Sequence, residues 1–154
     1  MKLYLVQHGE ACSKEENPDR PLTEQGKADI NRLAVFLRKG NIKVGRVMHS
    51  GKLRAAQTVE RLLNSVAPGL ETEVNEKINP NSDASTFAEL SFIWTDDTLI
   101  VGHLPFLAKL VSQLTLRDAS IMFSNFTPGS AICLERSENN QWLVNWMVRP
   151  EVLN

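Results

Sequence analysis

The sequence has no long hydrophobic run, little cysteine and no excess of charge of either sign. Its 154 residues contain 17 lysines and arginines against 18 aspartates and glutamates. This near balance argues against general nucleic-acid binding and gives no acidic tail. The apolar stretch before Gln7 and His8 is too short for a signal peptide or a membrane span. We therefore expect a cytoplasmic protein that binds neither nucleic acid nor a membrane.

The two cysteines, Cys12 and Cys133, are far apart in the sequence and lack the spacing of metal ligands. Reduced thiols, as in a cytoplasmic protein, are the expectation. Apolar residues make up 42% of the chain and charged residues 23%, as in an ordinary globular domain with a sizeable core. We predict one domain over residues 1–154. The sequence leaves the oligomeric state open, although an exposed terminal strand could pair.

Short apolar runs alternate with segments of helical periodicity. Strands are predicted over residues 3–6, 44–48 and 98–101, with a weaker one over 71–74. Helices are predicted after Thr23, after Ser50 as N-cap, and with Pro105 in the first turn. A modest helix is predicted over 84–93, and a hairpin over 130–136 and 141–148.

This alternation predicts a three-layer α/β/α fold with a mainly parallel central sheet and an antiparallel C-terminal hairpin at its edge. Within the hairpin, alternation along the strand predicts that residues 142, 144, 146 and 148 share one face. The irregular connection over 118–128 carries two phenylalanines, Phe123 and Phe126, which we expect to be exposed.

Polar residues follow three of the predicted strands. His8 follows the first strand, Arg54 lies shortly after the second, and His103 follows the strand that ends near residue 101. Since ligands bind at the carboxyl ends of parallel strands, we expect these three side chains to converge. Gly9 allows a sharp turn and a close approach of a ligand to the backbone. Helix N-termini favour anions, so the pattern predicts a phosphate pocket.

Four segments occur in an order that resembles the histidine phosphatase superfamily: QHGEA, RPLTEQG, HSGKLRAAQT and VGHLP. The short chain resembles the small SixA-like branch of phosphohistidine phosphatases, which has a phosphoglycerate mutase-like fold. The resemblance implies that His8 is a nucleophile that becomes phosphorylated. It implies that His103 and Arg54 bind the phosphoryl group and that Arg20 reaches the pocket from its loop. Because these protein cations can neutralise the charge of the phosphoryl group, we expect that neither a metal nor another cofactor is needed.

Gln7 departs from the family pattern, in which the triplet is Arg-His-Gly. Arginine supplies a charged, bidentate clamp on phosphate, whereas glutamine can donate hydrogen bonds but brings no charge. By analogy with the loss of a transition-state donor, the change costs on the order of 10²–10³ in rate. Arg20 or Lys52 can compensate by turning inward.

Larger family members also carry an acid that protonates the leaving group. Near the corresponding place this chain has Glu76 as a weak candidate, and Lys77 aligns better with the acid. The small branch often manages without that acid. His49 has no family counterpart and is expected at the rim of the site.

Three functions remain open at this point. The first is a phosphatase that acts on a histidine-phosphorylated signalling protein, such as a histidine phosphotransfer domain. The second is a phosphatase for a small phosphoester or sugar phosphate. The third, prompted by Gln7, is a phosphate- or phosphoprotein-binding module with little turnover. We favour the first, because a small chain with few insertions leaves room for a bulky protein substrate.

Overall fold

The computed structural model describes all residues from 1 to 154. Six strands form one sheet: β1 (Lys2–Gln7), β2 (Arg46–His49), β3 (Glu73–Val74), β4 (Thr98–Gly102), β5 (Ala131–Arg136) and β6 (Trp142–Val148). Four helices cover it: α1 (Glu24–Lys39), α2 (Leu53–Val66), α3 (Ala84–Ser91) and α4 (Phe106–Leu116). Short 3₁₀ turns lie at Glu76–Ile78 and Pro150–Val152.

The strand order across the sheet is β3-β2-β4-β1-β5-β6. The first four strands are mutually parallel, whereas β5 runs antiparallel to β1 and β6 antiparallel to β5. This arrangement confirms the predicted α/β fold with its C-terminal antiparallel hairpin at one edge. It also places the carboxyl ends of β1, β2 and β4 side by side.

Two hydrophobic cores lie on opposite faces of the sheet. Leu3 and Leu5 of β1 pack on the face covered by α3 and α4. Tyr4 and Val6 pack on the face covered by α1 and α2. The strand is buried on both faces because side chains alternate along it. None of the helices is both long enough and apolar enough to span a bilayer.

Helix α1 begins where the sequence predicts. The Thr23 hydroxyl accepts a hydrogen bond from the Gly26 N–H at 3.0 Å, which satisfies one of the free donors of the first turn. Gly40 occupies the C-cap. The predicted core positions of α1 and α2 are all buried: Ile30, Leu33, Ala34, Leu37, Ala55, Val59, Leu62 and Val66.

The hairpin prediction of one shared face is wrong. The pairing of β5 with β6 shifts register between Cys133 and Leu134. Such a bulge reverses the alternation of side chains beyond it. Trp142 therefore packs in the core under α3 and α4, whereas Trp146 packs against the opposite core.

Two smaller predictions also need correction. Phe126 is buried, since it joins the core under α3 and α4, whereas Phe123 is exposed as expected. Pro105 occupies the N-cap of α4 rather than its first turn. Neither difference changes where the strands end.

Candidate active site

The two central histidines meet because β1 and β4 are neighbouring parallel strands that end at the same level. Gln7, the last residue of β1, pairs with Gly102, the last residue of β4. The following residues, His8 and His103, therefore leave the sheet side by side, with ring centroids 4.9 Å apart. The backbone N–H of His8 also donates to the Gly102 carbonyl oxygen at 3.1 Å. The strand register thus brings the histidines together.

The hydrogen bonds of His8 define its tautomer. Its Nδ1 lies 2.7 Å from the Gly9 carbonyl oxygen. A carbonyl oxygen can only accept, so Nδ1 carries the proton and Nε2 keeps a lone pair. Arg54 Nε donates to that Nε2 atom at 3.3 Å. The lone pair of His8 therefore faces the guanidinium group of Arg54.

Thr58 joins helix α2 to the turn after β1. Its hydroxyl accepts a hydrogen bond from the Gly9 N–H at 3.0 Å and donates to the Arg54 carbonyl oxygen at 2.8 Å. Sequence reasoning missed this residue. The available signal is its position four residues after Arg54, which places the two on one side of the helix. Thr58 thereby fixes the first turn of α2 relative to His8.

Ser50 has a different role from the predicted helix cap. Lys52 is the N-cap of α2 and makes no side-chain capping bond. The Ser50 hydroxyl lies 2.6 Å from His103 Nε2 and accepts the Lys52 N–H at 3.3 Å. This contact follows from the sheet, because β2 is the other neighbour of β4 and His49 pairs with Val101. Ser50 therefore orients the His103 ring.

Gly9 has a packing role that the sequence does not indicate. Its N–H is already used by Thr58, and its backbone packs against α1. A Cβ atom at this position would lie 2.9 Å from Ile30 Cγ1 and 3.0 Å from the Gly26 carbonyl oxygen. The missing side chain therefore allows α1 to lie close to the turn.

Gln7 is buried beside this turn, with 7% of its surface exposed. Its Oε1 atom is buried and has no hydrogen-bond partner. A buried acceptor without a donor costs free energy, typically about 1–3 kcal/mol. Gln7 therefore places a carbonyl oxygen without a hydrogen-bond donor next to His8, and it brings no positive charge.

A cleft of about 660 Å³ lies next to this site, and Arg20, Lys52 and Arg54 line it. Arg20 adopts a left-handed backbone with φ of 51°, and its Nε donates to the Cys12 carbonyl oxygen at 3.0 Å. The loop that carries it is closed by a bridge between Ala11 and Leu22. Arg20 therefore faces the same cleft as Arg54.

Other residues considered in the sequence lie elsewhere. His49 is buried, and its Nδ1 accepts the Gly51 N–H at 3.1 Å, so its placement at the rim is wrong. Glu76 and Lys77 are exposed and do not line the cleft, which has Asn79 at that side. No group of three or more His, Cys, Asp or Glu side chains is arranged to hold a metal ion.

Burial keeps both central histidines neutral. It is the main cause that lowers the pKa of His8 to about 4, and the charges of Arg54 and Arg20 lower it further. Burial, together with His8 and Arg54, lowers the pKa of His103 to about 3. Burial and the nearby Arg20 also lower the pKa of Arg54. At neutral pH the site therefore combines uncharged imidazoles with arginine cations.

Such a pairing of a neutral imidazole with cations, at the carboxyl ends of parallel strands, is typical of α/β enzymes that handle phosphoryl groups. A sequence profile named Histidine phosphatase superfamily (branch 1) matches residues 3–79. The chain belongs to this superfamily and is a phosphatase.

Similar proteins cover nearly the whole chain. Phosphohistidine phosphatase SixA of Escherichia coli (strain K12) is 26% identical over 97% of this chain and 94% of its own length. An uncharacterized protein of Picosynechococcus sp. is 30% identical over 71% of this chain and 70% of its own. The structure of the protein histidine phosphatase SixA complexed with tungstate covers 97% of both chains at 25% identity, with a TM-score of 0.83.

The tautomer and charge of His8 give a direct prediction. Because burial lowers its pKa to about 4, well below the ordinary 6.5, His8 stays neutral as the pH falls from about 8 to about 5. ¹⁵N spectra of histidine-labelled protein should show it with the proton on Nδ1 throughout. The chain has three histidines, so single variants assign the signals. A titration midpoint near 6.5, or a proton on Nε2, would contradict this account.

Proposed function

We propose that the protein is a metal-independent phosphohistidine phosphatase that acts on a histidine-phosphorylated signalling protein in the cytoplasm. The observation that carries the proposal is the neutral His8, whose Nε2 lone pair faces the Arg54 guanidinium at 3.3 Å. A phosphoryl group that approaches His8 Nε2 would replace this hydrogen bond, and its oxygens would lie within reach of the Arg54 guanidinium. The 26% sequence identity to phosphohistidine phosphatase SixA of Escherichia coli supports the choice of substrate class.

In the first step, His8 Nε2 attacks phosphorus in line with the leaving nitrogen. The substrate's phosphorylated imidazole carries a proton on its other ring nitrogen. As the new P–N bond forms, the substrate P–N bond breaks and its electron pair stays on the substrate ring, which leaves as neutral imidazole. His8 becomes a phosphoimidazolium that keeps its Nδ1 proton. The hydrogen bond from Nδ1 to the Gly9 carbonyl oxygen stabilises this cation. One difficult hydrolysis is thereby divided into two easier steps.

In the second step, water attacks the phosphorus and the bond to His8 Nε2 breaks. Both protons of the water leave with the phosphate as dihydrogen phosphate, which then releases one to solvent, and His8 returns to its neutral form with its proton on Nδ1. Arg54 and Arg20 stabilise charge on the phosphoryl oxygens in both transition states. The Ser50 hydroxyl lies 2.6 Å from His103 Nε2, and His103 Nδ1 has no protein partner. In the proposed mechanism Ser50 donates to Nε2, so that the proton of His103 is on Nδ1 and can be donated to a phosphoryl oxygen.

The proposed cations perform the neutralisation that a metal ion performs in other phosphoryl-transfer enzymes. The substrate class also agrees with the residues that line the cleft. A phosphoryl group passes from one imidazole to another of similar basicity, so the leaving nitrogen needs little help from an acid. An alkyl ester, which leaves as an alkoxide, needs a proton donor. The cleft offers only the exposed side chain of Asp19 for that role, which favours the imidazole leaving group.

A comparison of substrates tests the proposal. A phosphorylated histidine phosphotransfer domain and p-nitrophenyl phosphate are assayed side by side at equal enzyme concentration, with phosphate release as the readout. We expect a higher kcat/KM for the phosphoprotein, because its contacts with the rest of the cleft add binding energy that the small ester lacks. Neither leaving group needs acid catalysis, so the comparison tests recognition of the protein. The His103→Ala variant is the control for spontaneous loss of the labile phosphoryl group. Hydrolysis of the ester alone would refute the proposed substrate class.

A second candidate function, a phosphoprotein-binding module with little turnover, is favoured by Gln7 alone. Replacing it tests which function applies. A charged donor typically contributes about 1.5 kcal/mol more than a neutral one, so Gln7→Arg should raise kcat by about tenfold. Gln7→Met, which has similar length but no donor, should lower it.

Thermal unfolding of both Gln7 variants checks that they fold. A folded Gln7→Arg protein with no gain in kcat would mean that the pocket already has enough positive charge. Negligible turnover in the wild type and in both variants would favour the binding module.

A further inference from the structure

The charged residues of the cleft exceed what one phosphoryl group requires. Four cations line it, Lys14, Arg20, Lys52 and Arg54, against a single carboxylate, Asp19. The chain as a whole carries a formal net charge of −1. The positive charge is therefore concentrated at this cleft and does not reflect a basic protein. Such concentrated charge of one sign attracts and orients partners of the opposite sign.

The four cations fall into two pairs. Arg54 and Arg20 are half-buried and act on His8, since both lower its pKa. Lys14 and Lys52 have exposed side chains that form no salt bridge, although the charge of Lys52 also contributes to lowering the pKa of His103. Lys14 comes from the loop over residues 12–22 and Lys52 from the start of α2, so they reach the cleft from different elements. We call these two residues the lysine pair.

The rest of the lining restricts what the lysine pair can bind. Leu53 is its single hydrophobic residue, and the amides of Asn79 and Asn81 add hydrogen-bonding groups. An aromatic base or an apolar side chain gains less free energy in such a cleft than a charged group, because the lining is mostly polar apart from Leu53, Pro18 and Pro80. Acidic side chains, in contrast, gain both charge pairing and hydrogen bonds.

The size of the cleft also favours a substrate larger than a single phosphoryl group. Its volume of about 660 Å³ is comparable to that of a drug-sized ligand site and far exceeds one phosphoryl group. Space therefore remains around the phosphoryl group for neighbouring parts of a protein substrate. We propose that Lys14 and Lys52 bind acidic side chains that flank the phosphorylated histidine of the substrate protein. This inference rests on the proposed function and adds the sequence character of the substrate.

Two synthetic peptides test the inference. Each carries one central phosphohistidine, flanked by glutamates in one peptide and by glutamines at the same positions in the other. Exposed charge pairs contribute about 0.2–1 kcal/mol each, so two of them should favour the acidic peptide by about fivefold in kcat/KM. The preference should shrink as salt rises, because exposed charges are screened.

Matched double variants separate the lysine pair from general charge. Lys14→Gln/Lys52→Gln should abolish the preference for the acidic peptide. Arg38→Gln/Lys39→Gln removes the same number of charges at the end of α1, where Lys39 lies about 22 Å along the helix from Glu24. This control should keep the preference.

Three results would overturn the inference. Equal kcat/KM for the two peptides, or an unchanged preference in Lys14→Gln/Lys52→Gln, would overturn it while leaving the proposed function intact. Failure to hydrolyse either peptide, with p-nitrophenyl phosphate still hydrolysed, would overturn the proposed function together with it.

Discussion

The pairing of Gln7 with Gly102 is the constraint on which the rest of the site depends. It makes β1 and β4 end at one level, so that His8 and His103 leave the sheet as neighbours. A slip of one residue would turn each side chain of β1 to the opposite face and separate the pair. The register is well specified, because β1 is buried on both faces and its residues alternate between two cores. Packing of the core therefore sets the geometry of the chemistry.

The site keeps its histidines neutral while surrounding them with cations. Burial lowers the pKa of His8, and the nearby arginines lower it further because they repel a second positive charge. In the proposed mechanism the same arginines attract the phosphoryl group, so that one set of charges keeps His8 neutral and binds the group it attacks. Thr58 and Ser50 hold this arrangement by hydrogen bonds to the Gly9 turn and to His103. The unusual Gln7 reduces the charge at one position only, which leaves Arg20 and Arg54 in the cleft.

Much of this could be predicted from the sequence, because it depends on local patterns. The strand ends and helix starts around His8, Arg54 and His103 follow from apolar periodicity and turn residues, and parallel topology then implies that they meet. The contacts of Ser50, Thr58 and Gly9 could not be predicted, because they depend on strand order and on how closely α1 and α2 approach the sheet. The reversal between Trp142 and Trp146 depends on one extra residue in β6, between the partners of Cys133 and Leu134. Burial of His49 likewise follows from tertiary packing.

The central claim is that His8 receives the phosphoryl group on Nε2 because its Nδ1 proton is held by the Gly9 carbonyl oxygen. The most direct test is to mix the enzyme with a phosphorylated histidine phosphotransfer domain, quench with base to preserve phosphohistidine, and locate the phosphate by mass spectrometry and ³¹P NMR. The account predicts a transient phosphoenzyme modified on Nε2 of His8 and absent from His8→Ala. Turnover without a phosphoenzyme, or a phosphate on Nδ1 or on another residue, would contradict it.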